Sequence, residues 1–213
     1  TLKDFTPVVQ VVRAPLFLMV PANSPIKTVA ELLAASGKQS AGLNVSSPGN
    51  GTAPHLALEL FNTLAKSNLN HIPYKGDAPA VTDLLGERVD AGIHPIIAPL
   101  PHIKNGKIRV LAVFGSTRSS LLPDVPSLGE LGYPNTEVYT WFGLVGPAKL
   151  PNKIVDRLNK DINRIIQEPE MKAWLTNEAI PPTAMTTAAF ETMLSDEAKP
   201  LEKLIRENKI GMK

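Results

Sequence analysis

The sequence contains no cysteine. Disulfide staples, thiol catalysis and cysteine-based metal sites are therefore excluded. The same absence suits an oxidising compartment where free thiols are avoided, and it equally suits chance. Lys and Arg are dispersed and leave a net charge of only +2. A nucleic-acid binder normally carries a basic stripe, so nucleic acid is not an expected partner. No apolar run approaches the roughly 20 residues of a membrane-spanning helix. The longest, Pro15 to Pro21, is punctuated by prolines and suits a buried strand. There is no internal repeat and no low-complexity tract. No signal peptide is recognisable, and the chain begins with Thr rather than Met, which reads as a mature, processed or trimmed product.

What is present is ordinary globular composition: 213 residues, 43% hydrophobic and 20% charged. That length fits one large domain or two small lobes. The 20 prolines and 14 glycines fall between periodic segments and give a map. Phe5 to Val12 and Leu16 to Val20 read as strands. Thr28-Val29-Ala30-Glu31 is a capping box opening a helix that ends near Gly37. A strand from Leu43 to Ser46 leads through a Gly-rich turn into a helix from Ala53 to Ala65. On that helix Leu56, Leu60, Phe61 and Leu64 share one face. A strand from Asn70 to Tyr74 precedes a helix capped by Asp77 and stopped by Gly86. Val89 to Ile93 and Ile108 to Phe114 are further strands, with a short helix from Pro101 to Asn105 between them. Strands and helices that alternate with short connections imply an α/β layer with a mainly parallel sheet.

Beyond Phe114 the pattern changes. A second capping box, Ser127-Leu128-Gly129-Glu130, precedes a strand from Val138 to Val145. A helix started by Pro151 and ended by Pro169 aligns Ile154, Val155, Leu158, Ile162, Ile165 and Ile166. Two more helices follow, near Glu170 to Thr176 and Thr187 to Asn208. These helices have few strands of their own to cover. Either they wrap the first α/β unit, or their partner strands lie upstream of Thr1.

The sharpest chemical feature is Ser47-Pro48-Gly49-Asn50-Gly51-Thr52, which follows a strand and opens a helix. Glycines allow a tight turn and a close backbone approach. The first helix amides lack internal partners, so such a turn can hold an anion without a charged side chain. It is equally an ordinary turn with Thr52 as N-cap. It lacks the Gly-Lys-Ser/Thr of a Walker loop and the third glycine of the dinucleotide fingerprint, so no nucleotide cofactor is expected. Pro73-Tyr74-Lys75-Gly76-Asp77 repeats the logic at the next strand end. Consecutive strand-to-helix turns of a parallel sheet share one edge, where α/β proteins bind ligands. The Tyr74 hydroxyl either meets a carboxylate there or packs toward water. Trp141 is either core or a wall of the ligand cleft. Asp83, Glu87 and Asp90 read as a solvated face. Ser47 with His55 would be needed for a serine hydrolase, yet no Gly-x-Ser-x-Gly elbow surrounds either serine of this region and no orienting acid is evident. The 4 histidines show no metal-ligand spacing, and no metal is expected.

Several stretches in order resemble one family: Leu2 to Val8, Ser47 to Leu56, Pro73 to Gly76, Leu100 to Ile103, Leu122 to Ser127 and Trp141 to Leu144. They are similar to the tripartite tricarboxylate transporter receptors, the Bug or TctC-like periplasmic solute-binding proteins, over essentially the whole chain. The resemblance implies a two-lobed α/β periplasmic binding fold of type II-like organisation that closes on its ligand. Applied here, residues 1–19 and 115–213 form one lobe and 20–114 the other. The first lobe lacks the N-terminal strand–helix units that the family places upstream. The implied function is capture of a small di-, tri- or aromatic carboxylate and delivery to inner-membrane transporter subunits, by a monomer in the periplasm without catalysis. The alternative is the ligand-sensing effector domain of a regulator. One departure concerns His94-Pro95, where the family often has an acidic residue followed by Asn. His94 there is a donor toward the ligand and shifts the expectation away from amino acids.

Overall fold

The computed structural model describes residues 2–178, 180–207 and 210. The expected helix end at Asn208 and the expected outer lobe limits at Thr1 and Lys213 lie outside the described residues. Two compact units are present, Pro15–Thr140 with Leu204–Lys213 and Thr1–Ala14 with Trp141–Lys203.

The first of these contains the expected α/β layer. Its strands are the second part of β1 (Phe5–Pro21), then β2 (Leu43–Ser47), β3 (Leu69–Pro73), β4 (Ala91–Pro95) and β5 (Ile108–Val113), in the order β3-β2-β4-β1-β5. β2 pairs parallel with β3 and β4, while β1 pairs antiparallel with β4 and β5. β2 to β5 thus run one way and β1 alone opposes them, so the mainly parallel sheet is a mixed one. The reason is positional. β1 enters between β4 and β5 without a helical crossover to turn it, and an antiparallel neighbour requires none. β1 is also a single strand where two were expected. Pro15 stays in the extended backbone because its fixed φ fits there and only one donor is lost.

Helices α1 (Val29–Lys38), α2 (Ala53–Ala65), α3 (Asp77–Leu85) and the short α4 (Leu100–Lys104) connect these strands. The capping box forms as read, with Thr28 Oγ1 accepting from Glu31 N at 3.1 Å and Glu31 Oε2 accepting from Thr28 N at 3.2 Å. Leu32, Val45, Leu58, Phe61, Ile93 and Phe114 are buried in one apolar core. Arg109 donates to the carbonyls of Ala22, Ser24 and Ile26, fixing the path from β1 to α1. The second capping box also forms, and Leu128 and Val138 bury in this same core. The lobe junctions expected at Met19/Val20 and Phe114/Gly115 therefore move to Ala14/Pro15 and Thr140/Trp141. Residues 15–21 hydrogen-bond in mid-sheet, and Val113 bridges to Ser127, so neither stretch separates from the sheet.

The other unit is built from the start of β1, most of β6 (Tyr139–Pro147), α5 (Asn152–Ile166), α6 (Pro169–Asn177) and nearly all of α7 (Thr187–Glu207). Val12, Ile166 and Leu175 form its buried cluster. Of the expected apolar face of α5, Val155 and Ile166 are buried, whereas Ile154, Leu158 and Ile165 remain exposed. Phe142, Leu144 and Val145 on β6 are exposed as well. β6 approaches β1 closely at Gly143, where an added Cβ would lie 2.6 Å from the Val9 carbonyl oxygen.

Two glycines therefore have opposite expectations in urea denaturation. Gly143→Ala should lower stability by about 1–3 kcal/mol through backbone overpacking. Gly37→Ala, where nothing lies within 4 Å of the added Cβ, should raise it by roughly 0.5–1 kcal/mol through helix propensity.

Candidate functional site

β2, β3 and β4 end on one edge of the sheet, and the turns that follow β2 and β3 are knitted together by backbone. Tyr74 N donates to Ser47 O at 3.0 Å and Gly76 N donates to Pro48 O at 2.9 Å. Gly49, at φ +153, sits where a Cβ would be 3.0 Å from the Tyr74 carbonyl oxygen. Only glycine lets the first turn lie this close to the second. The starts of α2 and α3 therefore point out of the same edge as one fixed body. Pro54 in the first turn of α2 and Pro79 in that of α3 remove one donor each. The remaining first-turn amides have no intrahelical acceptor.

The side chains of the turn face inward. Ser47 is fully buried, with Oγ 2.6 Å from His71 Nε2 and accepting from Gly49 N at 3.2 Å. Thr52 has the extended backbone of an N-cap, yet its hydroxyl donates backward to Gly49 O at 2.8 Å and makes no cap bond. The expected hydroxyl donors to a ligand are thus engaged within the loop, because short polar side chains take the nearest backbone partner. Asn50 and Gly51 are exposed at the tip. Gly51 N donates to His55 Nδ1 at 3.0 Å, and the His55 ring stacks on His71 with centroids 3.6 Å apart. His55 is a prop for the loop and not a base for Ser47.

Tyr74 behaves similarly. Its hydroxyl donates to Asp83 Oδ2 at 2.8 Å, and Arg88 Nη1 donates to Asp83 Oδ1 at 2.6 Å. Burial, then the Asp83 hydrogen bond, push the Tyr74 phenol up to about 12. The Tyr74 and Arg88 donors hold the Asp83 carboxyl below its usual range. The carboxylates expected on a solvated face lie at the surface and also make hydrogen bonds there: Asp90 accepts from Asn44 N at 2.7 Å and Glu87 from Asn23 Nδ2 at 3.2 Å. Trp141 belongs to the other unit, where its ring meets Phe190 edge to face at 5.4 Å.

His94 requires the largest correction. It is fully buried on β4, so it cannot donate to a ligand at the surface. Nε2 lies 3.0 Å from Ser46 Oγ and Nδ1 lies 2.6 Å from Asp77 Oδ1. Asp77 is accordingly the first residue of α3 and not its cap, a place taken by Gly76 at φ +114. Ser46, His94 and Asp77 share the connectivity of a nucleophilic triad. Ser46 is fully buried, however, and a nucleophile must reach a carbonyl carbon. This set, and His71, escaped sequence reading because they depend on register. Ser46 lies opposite Gly92 across β2 and β4, and the side chain two residues along β4 falls on the same face. A groove of about 370 Å³ elsewhere in this unit is lined by Val29, Leu111, Tyr133 and others, with none of the candidate residues.

Burial, reinforced by His55 and partly offset by Glu59, lowers the His71 pKa from 6.5 to about 4. The folded protein thus favours neutral His71, and the unfolded chain takes up a proton first as pH falls. This stabilisation is complete above pH 6.5 and is lost as pH drops through 4. The urea midpoint should therefore fall across that window, and less steeply in His71→Gln; identical pH slopes for both proteins would remove His71 as the cause.

Comparison with known proteins gives a consistent result. The family model described as tripartite tricarboxylate transporter family receptor, TctC, matches residues 1–210. The UPF0065 protein in the tcbD-tcbE intergenic region of Pseudomonas sp. is 34% identical over 98% of this chain and 62% of its own length. Protein BugT of Bordetella pertussis is 32% identical over 100% of this chain and 65% of its own. The chain thus spans less than two thirds of the length of these relatives. Among solved structures, an R. palustris protein with adipate superposes with a TM-score of 0.88 at 29% identity, covering 98% of this chain and 70% of that one. MatC from Rhodopseudomonas palustris with bound malate gives 0.86 at 26% identity, covering 95% and 70%. The fold, the order of its elements and the match along nearly its whole length place this chain in the TctC family of tripartite tricarboxylate transporter receptors.

Proposed function

We propose that this chain acts as a periplasmic receptor that captures a small carboxylate and hands it to the inner-membrane subunits of a tripartite tricarboxylate-type transporter, as a monomer and without catalysis. The observation that carries this reading is the pair of interlocked helix starts at Ser47–Thr52 and Tyr74–Asp77. The hydroxyls and imidazoles singled out around them are engaged within the fold, which leaves the first-turn backbone N–H groups at the positive end of α2 to meet an anion. Such donors are already fixed in place, so little ordering cost accompanies anion capture. The relatives solved with adipate and with malate support the ligand class. Ser47, Thr52, Tyr74 and His94 then serve the ligand indirectly, by holding the two turns in shape.

Thermal unfolding of the full-length protein against malate, adipate, citrate and benzoate tests the reading. At least one should stabilise it, by about 2.7 kcal/mol at 100-fold excess over Kd. No shift from any small carboxylate would falsify the proposal. Ser47→Ala and Thr52→Ala should each weaken the bound carboxylate by about 1 kcal/mol or more, because each releases the Gly49 end of the loop. Unchanged affinity in calorimetry would remove those hydroxyls from the site.

A further inference from the structure

The second helix start is not an empty anion site, because the protein has placed its own carboxylate there. Asp77 opens α3 directly after Gly76, whose amide is already committed to Pro48 O. A carboxylate at the first helical position neutralises the positive end of the helix. Asp77 is also aimed. Its Oδ1 is held by Nδ1 of the fully buried His94 at 2.6 Å, and the far nitrogen of that ring is held by Ser46 Oγ at 3.0 Å. An ionised carboxylate only accepts, so Nδ1 carries the proton toward Asp77, while Nε2 pairs with the Ser46 hydroxyl. The ring cannot swing elsewhere. Its Nε2 fills the space beside Gly92, 2.5 Å from where a Cβ would stand. Asp77 Oδ2 makes no hydrogen bond among the described residues, and the side chain is 23% exposed.

We propose that Asp77, oriented by His94, is the specificity-determining residue of the site and selects carboxylates that carry a hydrogen-bond donor, a hydroxyl or an ammonium, next to the captured carboxylate. This inference rests on the receptor reading above, with the ligand anion seated at the start of α2. A second ligand carboxylate directed at α3 meets a fixed like charge, whereas a donor group meets a free oxygen that needs one. A site built to hydrogen-bond a donor discriminates strongly against the analogue that lacks it. Hydroxy- and amino-carboxylates both carry such a donor beside a carboxylate.

The test uses three ligands on one carbon skeleton, namely succinate, malate (both enantiomers) and aspartate, titrated calorimetrically into the full-length protein. Malate or aspartate should bind at least tenfold more tightly than succinate, and which of the two leads distinguishes hydroxyl from ammonium. Asp77→Asn, which keeps the shape and removes the charge, should bring the ratio to within about threefold and tighten succinate. Asp77→Ala should do the same, which guards against a rotated amide in the first variant. His94→Gln should lower the ratio without abolishing binding, an effect a purely structural histidine would not produce in a ratio of ligands. Succinate binding as tightly as both analogues, or a preference that survives in both Asp77 variants, overturns the inference while leaving the receptor reading intact. No binding of any carboxylate overturns both.

Discussion

Two backbone hydrogen bonds, Tyr74 N to Ser47 O and Gly76 N to Pro48 O, tie the turn after β2 to the turn after β3. Nearly every other feature of this edge is intelligible as their consequence. They bring Gly49 so close to the Tyr74 carbonyl that a side chain there would collide. They take up the Gly76 amide and so force α3 to begin at Asp77 with no side chain at its cap. They also make the two helix starts move as one, so that geometry imposed on either turn is imposed on both.

Interlocked turns are expensive in polar groups that must be buried with partners. The sequence meets this demand with short side chains and histidines. Ser47 closes on Gly49 and His71, Thr52 closes on Gly49, and His55 supports Gly51 while stacking on His71. Tyr74, Asp83 and Arg88 brace the second turn against α3. Imidazoles suit this role because a neutral ring both donates and accepts. The depressed His71 pKa is the electrostatic signature of that arrangement: burial and a neighbouring ring keep its charge away.

The architecture was legible in the sequence to the extent that it depends on local order. Capping boxes at Thr28 and Ser127, the limits of α2 and the alternation from β2 to β5 follow from residues a few positions apart, and they form as read. The Gly-rich turn was legible for the same reason. What it could not reveal is direction. Whether Ser47 faces a ligand or His71, and whether His94 faces solvent or Asp77, depends on strand register, and a register is a relation between segments far apart in sequence. The direction of β1 was hidden likewise, since an apolar strand reads the same in either sense. Reading Pro15 as a break split β1 into two strands, whereas extended backbone accommodates the proline.

The same ambiguity explains why ligand class is harder to read than ligand charge. Backbone amides at a helix start recognise an anion through atoms that every residue possesses, so this part of recognition leaves almost no trace in residue type. Discrimination among anions needs a side chain, and here the side chain is two elements away from the turn that attracts attention. Asp77 would be an unremarked N-terminal acid of α3 were it not 2.6 Å from a buried histidine. His94 in turn would look like a surface donor were it not pinned from behind by Ser46. A fully buried, doubly bonded ring spends its hydrogen-bonding capacity on orienting a carboxylate, and that orientation has value only if the remaining oxygen has something to meet. On the proposed reading, the Ser47–Thr52 turn supplies the attraction and the Ser46–His94–Asp77 line supplies the choice.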